Sequence, residues 1–153
     1  MNIEKYNTNH NLKDIFSIDL QAVEDFKDKI KDEYNQSDIQ NIRKYYFDKN
    51  GSFFIGLISN QIVCMCGYVP IDKISVELKR LRVLKNLRGK GYGSKMLSFI
   101  EKEIKTNGFS TIKFATASIR KDTLKFYKKH GYIKTGNDKF GQLKTILFEK
   151  HLN

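Results

Sequence analysis

The sequence predicts a single domain of mixed α/β class, a central, mostly antiparallel twisted sheet flanked by helices on both faces. Three observations carry this expectation. Helix-patterned and strand-patterned segments are interleaved: helices and an antiparallel hairpin come first, then strand, helix, strand, helix, strand, strand. Hydrophobic residues make up 40% of 153 positions, and Phe and Tyr supply all of the 12% aromatic share, enough for one core without disulfides or metals. No repeat, low-complexity tract or linker divides the chain, so residues 1–153 read as one unit.

Taken in order, Asn2 to Tyr6 fits a short first strand. From Asn11 to about Tyr34 the chain is rich in helix formers, with Leu12, Ile15, Phe16, Leu20, Val23, Phe26 and Ile30 at helical spacings, as one long helix or two. Ser37 or Asp38 can cap a further helix through about Phe47, and Lys49-Asn50-Gly51 marks a turn. Ser52–Ser59 and Gln61–Val69 are strand-like runs joined at Ser59-Asn60, as in an antiparallel hairpin, with Pro70 as a strand-end stop. Ile74 to Leu84 is a third long strand. A glycine-rich turn, Arg88 to Ser94, leads into a helix whose Met96, Leu97, Ile100 and Ile104 form an apolar stripe, and Gly108 stops it. Thr111 to Ala117 is strand-like, Arg120 to His130 is helical with Leu124 and Tyr127 on one face, and Tyr132–Thr135 and Leu143–Phe148 read as closing strands.

The formal net charge of +11 is unevenly placed. Met1–Asp72 holds eight basic and eleven acidic residues, whereas Lys73–Lys95 holds eight basic residues against Glu77 alone, and Arg120–His130 holds five against Asp122. The asymmetry suggests a polyanionic ligand, either nucleic acid or a phosphorylated cofactor, beside the plainer reading of a solvated basic surface. The longest nearly apolar run, Ile62 to Ile71, is about half of the ~20 residues a membrane helix needs, and Met1–Asn11 has no apolar signal core. A soluble, cytoplasmic protein with reduced Cys64 and Cys66 is the expectation. These cysteines with His10, His130 and His151 make no zinc spacing, so no metal is expected.

A glycine-rich turn between strand and helix gathers free backbone N–H groups and the positive end of the helix dipole, which suits phosphate oxygens. Glycines at 89, 91 and 93 allow positive φ and close approach. The Walker pattern fails, because Gly89-Lys90 is followed by Gly91, and the dinucleotide fingerprint fails at Ser94. The turn also has a purely connective reading.

At these residues the chain resembles the GNAT superfamily of acyl-CoA-dependent N-acyltransferases. The family signature Gln/Arg-x-x-Gly-x-Gly/Ala is matched by Arg88, Gly91 and Gly93, after a strand approach Glu77 to Val83 like the family's. Its second motif, Tyr-x-x-x-Gly-Phe/Tyr, is matched by Tyr127 to Tyr132. Together the motifs span about 60 residues. Many members carry Asn seven residues before the helix tyrosine, and this chain has Arg120 there.

The resemblance implies an N-acetyltransferase that passes an acetyl group from acetyl-CoA to a primary amine of a small molecule or peptide, directly within a ternary complex. Such transfer has three requirements. The amine must lose a proton, which for a lysine-like pKa of about 10.4 costs roughly 4 to 5 kcal/mol at pH 7. By similarity Glu77 is the base; an ion pair with Lys79 is its alternative role, and Glu24, Asp25, Tyr34 or a water chain are alternative bases. A donor must meet the developing oxyanion, and the family's strand bulge puts the Leu81 N–H there. The departing thiolate must gain a proton, and Tyr127 matches the family's tyrosine, with a packed core ring as its alternative. Cofactor contacts are implied at Leu81, Val83, Arg88, Gly89, Lys90, Gly91, Tyr92, Gly93, Ser94 and Tyr127: Val83 for the pantetheine arm and Arg88 to Ser94 for the pyrophosphate; Arg120, where the chain departs from the family, is a candidate either for contact with a cofactor phosphate or for plain exposure. The acidic excess of Met1–Asp72 suggests a cationic acceptor. The rival readings are a basic nucleic-acid-binding module and a non-catalytic acyl-CoA sensor, and a monomer or homodimer is expected.

Overall fold

The computed structural model describes residues 1–30 and 34–153. Seven strands form one sheet: β1 (Asn2–Lys5), β2 (Ser52–Ile58), β3 (Gln61–Pro70), β4 (Ser75–Val83), β5 (Thr111–Ala117), β6 (Ile133–Phe140) and β7 (Leu143–His151), in the spatial order β1-β2-β3-β4-β5-β7-β6. Every neighbouring pair is antiparallel except β4 and β5, which run parallel. The β2–β3 hairpin turns at Ser59 and Asn60, both at positive φ (48° and 64°), a two-residue turn whose twist matches that of its strands.

The first helix, α1 (Leu12–Val23), starts at Asn11, whose side chain accepts the Lys13 N–H. Its buried residues are Ile15, Ile18, Asp19 and Val23, so a carboxylate sits in the inward stripe while Leu20 is exposed. Beyond Val23 the chain tightens into a 3₁₀ helix (Glu24–Lys29), with Phe26 outside helical conformation. Of the two expectations for this stretch, one long helix or two, a single continuous α-helix is not what the described residues form, and positions 31–33 lie outside them. The segment after Ser37 is likewise two short helices, α2 (Ser37–Gln40) and α3 (Ile42–Tyr45), broken at Asn41 (φ −140°, ψ 74°), whose side chain caps the Lys44 N–H. Neither Ser37 nor Asp38 caps α2: its N-cap is Gln36 and the Asp38 carboxylate is used elsewhere.

The two larger of three cores among the described residues lie on opposite faces of the sheet. On one, α4 (Tyr92–Thr106) and α5 (Lys121–Lys129) lay Met96, Leu97, Ile100, Ile104, Leu124 and Tyr127 against Val76, Leu78, Ile112, Phe114 and Phe148. On the other, Ile15, Ile18, Ile39, Ile42 and Tyr46 cover Phe53, Ile55 and Met65. Cys64 and Cys66 are buried and unpaired by disulfides; burial pushes the Cys64 thiol up to about 12 and raises the Cys66 thiol well above its ordinary range. The strand expected at Tyr132–Thr135 instead starts at Ile133 and runs to Phe140, through Gly136, Asn137 and Asp138, because pairing with β7 holds residues of low strand propensity in place. No helix among the described residues is long and apolar enough to cross a membrane.

Candidate functional site

Strand β4 carries a bulge that shapes the site. Gly67 of β3 faces Lys79, and Met65 faces Arg82, so one extra residue enters β4 and neither Arg80 nor Leu81 has a register partner. Arg80 takes φ 58°, a left-handed conformation unusual for a residue with a side chain. The parallel pairing with β5 covers only Ser75–Glu77 against Thr111–Lys113, after which the two strands diverge. A cleft of about 990 Å³ opens where they part, lined by Leu81 and Val83 on one side and Ala115, Thr116 and Ala117 on the other.

The glycine turn borders the same cleft through Arg88, Gly89, Gly91, Gly93 and Ser94. Gly89 (φ 73°) and Gly91 (φ 88°) are left-handed, and a Cβ at either would meet nothing within 4 Å, so backbone angle and not room calls for glycine there. Gly93 departs from the expectation: its φ is ordinary, because it already lies in the first turn of α4. Helix α4 begins with no side-chain cap and no acidic residue, and its first internal bond runs from Lys95 N–H to the Gly91 carbonyl. The N–H groups of Tyr92, Gly93 and Ser94 thus precede the helix ladder, with the positive end of the dipole behind them. Of the expected cofactor residues, Lys90 and Tyr92 do not line the cleft, and Lys90 is exposed.

Three arginines converge here. Arg88 donates through Nε to the Val83 carbonyl at 3.1 Å, and Arg120 donates to the Ala22 carbonyl at 3.0 Å, reaching across to the end of α1. Burial holds Arg88 below the ordinary arginine range, and the nearby charges of Arg120 and Arg82 push the same way. Asp122, 3.7 Å from Arg120, and Asp25 partly offset this repulsion. Uncapped N–H groups, positive backbone angles with open space above them, and clustered guanidinium groups together fit a diphosphate.

Tyr127 lines the cleft from α5, its ring against Phe114 at 4.3 Å between centroids and against Phe126, Tyr132 and Phe148. Burial, with a smaller contribution from Cys66, raises the pKa of its hydroxyl above the usual tyrosine value. Glu77 stands apart. It borders an adjoining cavity of about 200 Å³ that shares Leu81, Thr116 and Tyr127 with the main cleft, and its Oε1 lies 3.7 Å from Lys79 Nζ. Of the alternative bases, Glu24 pairs with Lys85 at 3.5 Å and the Tyr34 hydroxyl donates to Asp19.

Sequence reasoning missed the polar network beneath the bulge. Arg80 donates Nε and Nη2 to Asp38 (3.1 and 2.7 Å), Nη1 to both oxygens of Asp19 (3.1 and 2.9 Å), and Nη2 to the Asn35 carbonyl (3.0 Å). Asp19, fully buried, also accepts from Arg82 Nε at 3.2 Å, and Asp38 accepts the Tyr46 hydroxyl at 2.5 Å. Burial opposes the charge on Asp38, but hydrogen bonding and attraction from Arg80 outweigh it and hold the carboxyl below its usual range. The one signal in the sequence was Asp19 at position i+4 from Ile15, inside an apolar stripe.

A family model described as the acetyltransferase (GNAT) family matches residues 12–132. The chain belongs to the GNAT acetyltransferase family. Among its relatives, a probable N-acetyltransferase 14 from Xenopus tropicalis is 30% identical over 105 residues, covering 67% of this chain and 51% of that protein. N-acetyltransferase family 8 member 2 from Rattus norvegicus is 23% identical over 107 residues, covering 67% and 47%. The chain therefore spans about half the length of these relatives. In fold, this GNAT chain superposes on an acetyltransferase from Streptococcus agalactiae (TM-score 0.84, 21% identity, 99% of this chain and 98% of that one). It also superposes on an aminoglycoside 6′-N-acetyltransferase in complex with coenzyme A (TM-score 0.79, 17% identity, 99% and 97%).

Proposed function

We propose that this GNAT-family chain is an acetyl-CoA-dependent N-acetyltransferase acting on a primary amine of a small molecule or peptide by direct transfer in a ternary complex. The observation that carries the reading is one cleft that joins a bulged, splayed β4/β5 edge to an uncapped helix start ringed by arginines. The thioester supplies the activated acyl group, and the protein supplies position, charge and protons.

In this reading the N–H groups from Arg88 through Ser94 hold the diphosphate, Arg88 and Arg120 neutralise it, and the β4 edge at Val83 aligns the pantetheine arm. The Leu81 N–H, out of ladder register, meets the negative charge that grows on the acyl oxygen. Tyr127 gives the leaving sulfur its proton. Burial makes this phenol a weaker acid than free tyrosine, yet the same dry surroundings disfavour a bare thiolate, so the transfer is not made correspondingly harder. Glu77, beside the shared wall, takes the amine proton directly or through water.

Among the described acids of Met1–Asp72, Asp19 and Asp38 are matched by Arg80 and Arg82, so these two are not what draws a cationic acceptor. The inward setting of Arg88 and Arg120 favours a phosphorylated small molecule over a nucleic-acid surface.

Isothermal titration with acetyl-CoA, run beside CoA lacking its 3′-phosphate, tests the reading. Saturable one-site binding of acetyl-CoA is expected, weaker for the dephosphorylated form, followed by turnover with members of an amine panel. No binding at millimolar acetyl-CoA sinks the proposal, and binding without turnover of any amine leaves the sensor reading in its place.

A further inference from the structure

The mechanism above uses the Leu81 N–H but does not account for Arg80, the neighbouring residue whose backbone makes the bulge. Arg80 sits at φ 58° in the middle of a strand, a conformation that an L-residue with a Cβ resists. Its side chain is only 14% exposed, and every nitrogen of the guanidinium is engaged: Nε and Nη2 fork onto Asp38, Nη1 bridges the two oxygens of Asp19, and Nη2 also reaches the Asn35 carbonyl. The anchors come from α1 and α2, on the face opposite α4 and α5, and Asp38 is itself fixed by Tyr46. The Tyr46 ring in turn packs over Gly67, the β3 residue facing the start of the bulge, so closely that a Cβ there would lie 2.6 Å from it. A side-chain clamp and a ring that tolerates only glycine beneath it therefore converge on one backbone irregularity.

We propose that Arg80 is a positioning residue: held by Asp19 and Asp38, it keeps the β4 backbone left-handed and so keeps the Leu81 N–H turned out of the ladder toward the acyl oxygen. This rests on the acetyltransferase reading. If the network served only to glue the helices to the sheet, an arginine on an unbulged strand would do as well, and no residue would be forced to positive φ. Arg82 shows the contrast, since it reaches the same Asp19 without taking positive φ and with Met65 as its register partner.

The test reads the acyl carbonyl directly and needs no acceptor. Isotope-edited infrared difference spectra of bound [1-¹³C]acetyl-CoA report the hydrogen bond at the acyl oxygen as a downshift of the carbonyl stretch, and titration reports affinity separately. The wild type is expected to show the downshift. Arg80→Ala is expected to lose most of it while binding acetyl-CoA within about threefold of wild type, because the phosphate-holding N–H groups are untouched. Arg80→Gly, which takes positive φ freely, is expected to recover much of the downshift. Should Arg80→Ala fail to fold, Asp38→Asn removes half of the clamp and is expected to give a partial loss. A full downshift in Arg80→Ala or in Asp38→Asn overturns the proposal, as does an Arg80→Gly spectrum no closer to wild type than that of Arg80→Ala. A wild type that binds acetyl-CoA without a downshift overturns it too, whereas a wild type that does not bind acetyl-CoA refutes the acetyltransferase reading itself.

Discussion

Replacing Gly91 and Gly93 one at a time with alanine separates two reasons for glycine in the turn. At Gly91 φ is 88° and a Cβ would find nothing within 4 Å, so alanine meets no clash and the penalty is purely conformational, about 1–2 kcal/mol for a left-handed L-residue. For a domain of this size that corresponds to a drop of about 2–8 °C in Tm. Part of the strain can be relieved by rotating the backbone, which swings the Tyr92, Gly93 and Ser94 N–H groups away from a bound phosphate. Losing one hydrogen bond to a charged group, about 1.5–3 kcal/mol, weakens acetyl-CoA by about tenfold or more. At Gly93 φ is ordinary and a Cβ would sit 3.6 Å from the Phe126 ring and Val83, normal contact distances. Alanine there is expected to raise stability by up to about 1 kcal/mol through helix propensity. Thermal unfolding of both variants and titration of Gly91→Ala with acetyl-CoA are the assays. A Gly93→Ala protein that unfolds below Gly91→Ala would refute the reasoning.

Three further outcomes are expected. Tyr127→Phe should unfold within about 1 kcal/mol of wild type, since the ring keeps its packing against Phe114 and Phe148, and should bind acetyl-CoA while losing turnover once an acceptor is found; unchanged turnover removes Tyr127 as the acid. Glu77→Gln should leave Tm nearly unchanged, because a half-exposed pair with Lys79 is worth about 0–1 kcal/mol, and should slow turnover most at low pH; a parallel pH profile assigns the base elsewhere. Stability should fall on the alkaline side, because burial raises the Tyr46, Tyr127 and Tyr132 phenols and the Cys64 and Cys66 thiols. Groups whose pKa is raised on folding stabilise fully below their unfolded values, about 8.5 for thiols and 10 for phenols, and lose that contribution as pH climbs towards the folded values, at up to about 1.4 kcal/mol per pH unit for each group. Urea midpoints that stay flat from pH 8 to 11 would contradict this.

What the sequence determined by itself is local. The turn at Ser59-Asn60, the stripe of Met96, Leu97, Ile100 and Ile104, and the glycine run at 89–93 follow from neighbours a few residues apart, where backbone preference and helical or strand period act directly, and all three stand in the structure. The family resemblance rested on motifs of the same short range. The break at Asn41 escaped, and the choice between one helix and two before Tyr34 stayed open, because helix formers ran through both segments, and tertiary packing decided which face was buried. Leu20 matched the apolar period yet is exposed, while Asp19 beside it is buried, because Arg80 and Arg82, about sixty residues later, neutralise it. The same holds for β6, whose Gly136-Asn137-Asp138 reads as a turn until β7 supplies its hydrogen bonds. The bulge is the clearest case: only pairing against β3 reveals the extra residue in β4, and only α1 and α2, folded over that face, provide the carboxylates that hold Arg80 in place. Contacts between residues far apart in the chain leave no period in the sequence, so the tertiary structure alone decided them.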